Sequence, residues 1–596
     1  MVDRARLVRV AQGLEPAELV LAGGTIVNVV TGELVAGDVV VAGDRIAATG
    51  PAGSHLITAD TEVIDCAGLF VAPGLVDPHV HVESSNLTVT ELARAIVPRG
   101  VLTLCEDPHE IANVCGIAGI EAFVAEAAGL PLSLLLRVPG RVPAMPPHLE
   151  TSGHDLDDAV ITDLLTRPDA VALGGDINPA LILDADASTL ARIEGAVALG
   201  RTVGGQLPGF TDAVLDACVA AGLEDTHVAE SPAEVIEQLR RGLRVLLTPR
   251  IDRLPAEEWP ELFATIERLG VDTRRLCLCT DDIHPNILAA EGHLDHRVRL
   301  AIEAGVAPAR AIAMASLNPA ELMRIDRDRG SVSPGLLADL VVLDDLASFS
   351  VSTVVRHGAV VARDGQLCAE PPPFDQPVAA RESIRLPGPV DPATLVTRLP
   401  ATLDGASEVP AEVVYFGGPK TRRTVALPVV DGVVQPDGDV ARIAVVERHS
   451  GGAGTAVGFV GGLGISGGAF ASTVNHDSHN IVVVGDSPAD MALAADTVAA
   501  VGGGYVVVSG GEVVALLALP IAGLLSDRPL AAVASDLVAV EKALVERLGC
   551  SVTYRPVYAL NFLCLPNIPL VGMTDKGVVD TPTMQLVPVV GVTDPD

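Results

Sequence analysis

The segment PGLVDPHVHVESS sets two imidazoles, His79 and His81, two residues apart at the end of an apolar run. Side chains at i and i+2 of a strand share a face, so both rings can reach one ion. An HxH pair alone is a weak signal, and the Pro-Gly turn and aspartate that precede it strengthen it. Two residues of the same chemical kind recur at the ends of later runs, His227 in EDTHV and Asp281 in CLCTDD. Imidazoles and a carboxylate suit one or two divalent ions, zinc, manganese and iron alike, and such an ion activates water for hydrolysis. The only lysines are Lys420, Lys542 and Lys576, all downstream of these residues. A carboxylated lysine therefore cannot bridge two ions. The bridge would be hydroxide or a carboxylate, for which Asp176 is the candidate; the plain alternative is a turn or helix-cap aspartate.

Residues so far apart in the chain meet only if the elements that carry them converge. Eight apolar runs, 69–81, 101–107, 132–138, 170–176, 201–206, 223–228, 243–248 and 276–281, alternate with segments of helical length. That alternation predicts a parallel sheet of βα units, and eight is the number that closes a (β/α)8 TIM-like barrel. In such a barrel the C-terminal strand ends carry the chemistry, and His79, His81, His227 and Asp281 fall at ends one, six and eight. Short β-runs between residues 17 and 50 reappear in kind between 338 and 365, which predicts a small sheet built from both flanks of the barrel.

The expected division is thus 1–68 and 326–366 for the small β domain, 69–325 for the barrel, a Pro-rich linker over 367–399, and an α/β (α+β) domain over 400–596. A chain of 596 residues needs several cores in any case. Apolar residues make up 49% and charged residues 19%, which excludes disorder over most of the length. The net charge of −36 argues against nucleic acid as a partner. The longest apolar stretch, 513–525, is broken by Pro520 and is shorter than the ~20 residues a membrane span needs. Residues 1–12 lack an apolar core of signal-peptide length. Nine cysteines without a CxxC pair read as reduced packing residues, so a cytoplasmic enzyme is expected, with a homo-oligomer (dimer) as the default assembly. The glycines near Gly502 and in GGAGTAVGFVGGLGISGG lack the GK(S/T) of a phosphate loop and read as β-turns.

PGLVDPHVHVESS, EDPHEIANVCG, CTDDIHPNILAAEGHLDHRVRLAIEAG and NPAELMRIDRDRGSVSPGLLADLVV together resemble the adenine deaminases of the metal-dependent amidohydrolase superfamily. VNHDSHNIVVVG, LALPIAGLLSD and LNFLCLPNIP extend the resemblance to the C-terminal region, which is more particular than the HxH…TD pattern. The resemblance implies hydrolysis of adenine to hypoxanthine and ammonia. It also implies His79, His81, His227 and Asp281 as metal ligands, with Asp281 also the proton shuttle, and it brings Glu83, His109 and Glu110 near the site. Either Glu83 or Glu110 would serve the ring nitrogen N1, and Asp282 is a neighbour of the site on the substrate side.

Three positions depart from the family pattern. Gln206 in QLPG stands where the family has a strand-five histidine, Val228 follows His227 where the family has glutamate, and Asp176 stands for a strand-four glutamate. Gln206 can offer an amide oxygen to metal or substrate, a poorer ligand than imidazole, and Glu230 is the candidate to compensate for Val228. The departures leave room for two other readings: an amidohydrolase acting on another purine or cyclic amide, or a non-catalytic homologue with a degraded metal site. The segment His476-Asp477-Ser478-His479 is either a second metal site, a cover for the barrel mouth, or a turn with satisfied polar groups.

Overall fold

The computed structural model describes residues 3–51, 56–175, 177–249, 254–416, 420–452, 454–566 and 570–591. At its centre lie eight short parallel strands, β1 (Leu75–Val80), β2 (Val101–Glu106), β3 (Ser133–Val138), β4 (Ala170–Leu173), β5 (Thr202–Gly205), β6 (Asp225–Thr226), β7 (Arg244–Leu247) and β8 (Leu276–Leu278). They pair in chain order. The ring closes where Val80 pairs in parallel with Asp281, whose backbone N–H donates to the carbonyl of His79 at 3.0 Å. Both β1 and β2 are buried along their whole length, which is why the sequence shows them as apolar runs without alternation.

Helices return the chain on the outside, several with explicit start signals. Ser231 accepts the N–H of Glu234 at the head of helix Pro232–Arg240, and proline occupies its first turn, where no hydrogen-bond donor is required. The (β/α)8 barrel expected from the sequence is therefore present.

The first run divides differently from the sequence reading of 69–81 as one barrel strand. Phe70–Pro73 belongs to the small sheet, where it pairs with Leu19–Asn28 and Leu340–Asp345, and only Leu75–Val80 enters the barrel. Gly74 sits at the division, and a Cβ there would lie 2.7 Å from Leu102 Cδ1. An unbroken apolar run conceals this change of sheet because both parts are buried. The small sheet draws strands from both flanks, as expected.

The C-terminal region holds a nine-stranded, mostly antiparallel sheet with helices Pro488–Ala500 and Leu530–Leu548. Its core is continuous with that of the barrel. Within residues 367–399, Ala380 and Leu395 are buried, and the Ala380 carbonyl accepts the Ala522 N–H, so this segment packs against the C-terminal region. Proline removes ladder donors without preventing apolar side chains from packing. Eight of the nine cysteines are buried, and the exception is Cys368, which is exposed. Among the described residues no helix is long and apolar enough to cross a membrane.

Candidate active site

The strand ends bring the candidate ligands together. His79 and His227 stack with ring centroids 4.1 Å apart, and His81 meets His79 edge-on at 4.8 Å. Asp281 Oδ1 lies 3.5 Å from both His79 Nε2 and His81 Nε2. Ligand atoms of His79, His227 and Asp281 lie within 4.8 Å of one another, as do those of His81, Asp281 and Asp282. All but the half-buried Asp282 are buried.

These spacings exceed hydrogen-bonding distance, and they match ligand atoms arranged around a single cation, since tetrahedral ligands ~2.1 Å from zinc stand ~3.4 Å apart. Among the described residues, neither ring nitrogen of the fully buried His79 has a hydrogen-bond partner. Burial, reinforced by His227, drives His79 far below the ordinary imidazole range, so it is neutral, as a metal ligand must be. Burial opposes charge on His81 too, but Asp281, Asp282 and Asp107 outweigh it and hold His81 well above that range. An acidic surplus of this kind accommodates a cation, and the residues present fit a divalent ion.

Other groups fix the ligands. His81 Nδ1 donates to the Asp107 carbonyl at 2.9 Å, which turns its Nε2 toward Asp281. Asp107 Oδ2 accepts the Gly175 N–H at 2.7 Å. A Cβ at Gly175 would stand 2.6 Å from His79 Cε1 and 3.2 Å from His227 Cε1, so glycine is required where the chain passes the imidazoles. Asp77 joins the first and eighth strand ends by accepting from Thr280 Oγ1 at 2.6 Å and from the His79 N–H at 3.2 Å. Asp281 itself holds φ 55°, a left-handed conformation that the barrel-closing hydrogen bond to His79 maintains.

Beyond the imidazoles lie the carboxylates and the C-terminal domain. Glu83, fully buried, accepts the Ile111 N–H at 2.8 Å. Burial first, and then the charge of Glu110, raises its proton affinity, and it is linked to Glu106, which burial and Glu83 push higher still. Glu110 is also fully buried, yet His476 of the C-terminal domain overrides burial and holds it below the ordinary carboxylate range. Asp282 accepts from Ser84 Oγ at 2.5 Å and forms a third group with Glu110 and His476, again within 4.8 Å. His109 packs edge-on against His81 at 4.9 Å and lies 3.8 Å from Asp477. Ligand-bearing groups thus run without a break from His79 to the C-terminal domain.

Two family models match the chain: the amidohydrolase family over residues 70–172 and 203–361, and the adenine deaminase C-terminal domain over 420–585. The adenine deaminase of Moorella thermoacetica is 40% identical over 590 residues, 98% of this chain and 97% of that one. That of Paracoccus denitrificans is 38% identical over 588 residues, covering 98% and 97%, and adenine deaminase 3 of Rhizobium meliloti 39% over 591 residues, covering 96% of each. This chain belongs to the adenine deaminase family. The resemblance read from the motifs therefore extends over nearly the whole polypeptide.

Against the adenine deaminase pattern, the three departures fare differently. Val228 is buried beside His227, and Gln206 is exposed just beyond β5. Glu230, the candidate substitute, is exposed as well. Asp176 lies outside the described residues, within the stretch 173–202 that the amidohydrolase match omits. The sequence reading gave no orienting role to Asp77, Glu106 or Asp107, although all three stand inside the quoted motifs PGLVDPHVHVESS and EDPHEIANVCG. It also left His476 among three alternatives, because nothing in the order of residues says which loop of one domain covers the other.

Proposed function

We propose that this chain hydrolyses adenine to hypoxanthine and ammonia. The observation that carries the reading is the shared position of Asp281, against His79 and His227 on one side and against His81 and Asp282 on the other, in a chain of the adenine deaminase family. His79, His81, His227 and Asp281 would hold a divalent ion, manganese, zinc or iron, and Asp176 is proposed as a further ligand. The bound ion would supply a water acidified from a pKa of ~16 toward ~7.

Asp281 accepts the proton of the attacking water as its oxygen bonds to C6, and returns it to the exocyclic nitrogen when the C6–N6 bond breaks. N1 must gain a proton as C6 becomes tetrahedral. Glu83 suits that delivery because its surroundings favour the protonated form, whereas Glu110, held ionised, suits acceptance of a substrate N–H. His109 and Asp282 line the substrate side, and Gln206 stands at its rim. Cytoplasmic location agrees with nine unpaired cysteines, and a homodimer is the assembly we assign by default.

Assay of metal-loaded protein against adenine, adenosine, guanine, cytosine and hydantoin, read as ammonia or ring opening, tests the proposal. Adenine should be turned over with kcat/KM of at least ~10⁴ M⁻¹s⁻¹. Turnover of another compound with none of adenine would overturn it.

A further inference from the structure

The C-terminal domain meets the carboxylates of the barrel mouth through the segment that carries His476. His476 Nδ1 lies 2.7 Å from Glu110 Oε1 across the boundary between the two domains, and both side chains are buried. The imidazole is fixed on its other sides. Its ring stacks on Phe562 with centroids 4.4 Å apart and planes within 6°, and its backbone N–H donates to the Asn561 carbonyl at 3.0 Å. Phe562 is held in turn, since the buried Lys420 Nζ lies 3.5 Å from the carbonyls of Phe562 and Leu563 and also donates to that of Leu565. Tyr558 bridges Phe562 to His284 of the barrel, with ring centroids 5.3 and 5.2 Å away. A cavity beside Asp281 and Asp282 is lined from the barrel by Thr280 and His284 and from the C-terminal domain by Arg555 and Tyr558.

A supported imidazole against one oxygen of a buried carboxylate leaves the other oxygen to be accounted for. Among the described residues neither carboxylate oxygen of the buried Glu110 has a well-formed hydrogen bond; Oε1 has the His476 ion pair at 2.7 Å, which leaves Oε2 as the oxygen without a charged neighbour of its own. An ionised oxygen so placed is costly unless a ligand donates to it. Adenine carries such donors, its exocyclic amine and its imidazole N–H, and Glu110 shares its surroundings with Asp282, next in sequence to Asp281.

We infer that His476 is a positioning residue for the deamination: it fixes Oε1 of Glu110 so that Oε2 faces the purine, and the C-terminal domain thereby completes the barrel's active site. The inference rests on the adenine deaminase reading and assigns a mechanical role to a domain that the barrel chemistry leaves without one. No covalent step is added. His476 holds the carboxylate, and the carboxylate holds the substrate.

The test compares four single variants and one double variant of the full-length, metal-loaded enzyme. His476→Phe keeps ring volume and the stack on Phe562 but has no donor, and His476→Asn places an amide N–H where Nδ1 stands. His476→Gln places its donor one bond further out, and Glu110→Gln alters the carboxylate itself. Expected for His476→Phe is a loss of ~10²-fold in kcat/KM, with metal content unchanged and hypoxanthine binding in calorimetry weakened ~10-fold.

Asn should recover most of that loss and Gln little of it, a pattern that donor position explains and general destabilisation does not. If the Phe variant fails to fold, the Asn and Gln pair decides alone. Combining His476→Phe with Glu110→Gln should cost no more than Glu110→Gln, because both remove one interaction. Near-normal turnover by His476→Phe or His476→Gln, or losses that multiply in the double variant, would refute the role of His476 while leaving adenine deamination intact. A wild-type enzyme inert toward adenine would refute both.

Discussion

Two buried polar groups in the barrel interior show what separates structural from chemical charge. Arg137, on β3, donates from Nη2 to both carboxylate oxygens of Asp225 on β6, at 3.0 and 3.2 Å, and from Nη1 to the Pro78 carbonyl at 3.0 Å. Cation and anion are matched, and both are fully buried. At the mouth, His79, His81 and Asp281 side chains stand just beyond hydrogen-bonding distance, and neither ring nitrogen of His79 has a hydrogen-bond partner among the described residues. The charges of the first group are matched within the polypeptide, and among the described residues only Arg137 Nε of that pair lacks a hydrogen-bond partner. The second would be completed by a cation, and that difference supports the proposal that the set at the mouth, not the equally buried pair, does the chemistry.

The comparison is broken most severely by removing imidazoles. His79→Ala with His81→Ala should empty the site and abolish deamination, with elemental analysis showing loss of bound metal and circular dichroism showing a retained fold. Next in size, Asp281→Asn should keep the fold and lower kcat by ~10²–10⁴-fold, the usual worth of a positioned acid–base group. A near-normal rate would remove Asp281 from the proton path.

The matched pair should behave in the opposite sense. Arg137→Met strands Asp225 and should cost ~3–5 kcal/mol of stability, seen as an earlier thermal transition, while the folded fraction still binds metal. Smallest in effect is Glu150, buried against Ser478 of the C-terminal domain, where burial pushes its pKa from 4.5 up to about 8. A raised carboxyl contributes stability below pH 4.5 that is lost as pH rises toward 8. Glu150→Gln should therefore flatten the stability profile over that window in melts at several pH values, and an unchanged slope would show that Glu150 is solvated.

The barrel was legible because buried parallel strands leave apolar runs and because chemistry collects at their ends; His79, His81, His227 and Asp281 each close or follow such a run. Gly74 shows where legibility stops, since a chain passing from one sheet to another without leaving the core gives no polar signal. The residues that orient others were hidden for another reason. Asp107 acts through its backbone carbonyl on His81 and through one carboxylate oxygen on the N–H of Gly175, and neither contact depends on a spacing that a one-dimensional reading detects. His476 was visible as a residue but not as a partner of Glu110, because that pairing is set by how two domains dock.

The small sheet has a consequence for synthesis on the ribosome. Phe70–Pro73 emerges early, yet its partner Leu340–Asp345 follows roughly 270 residues later. At ~5–20 residues per second that interval is on the order of tens of seconds. Until it ends, one edge of an apolar nascent sheet stays open to other chains, so slowed translation between these strands favours aggregation before the enzyme is complete.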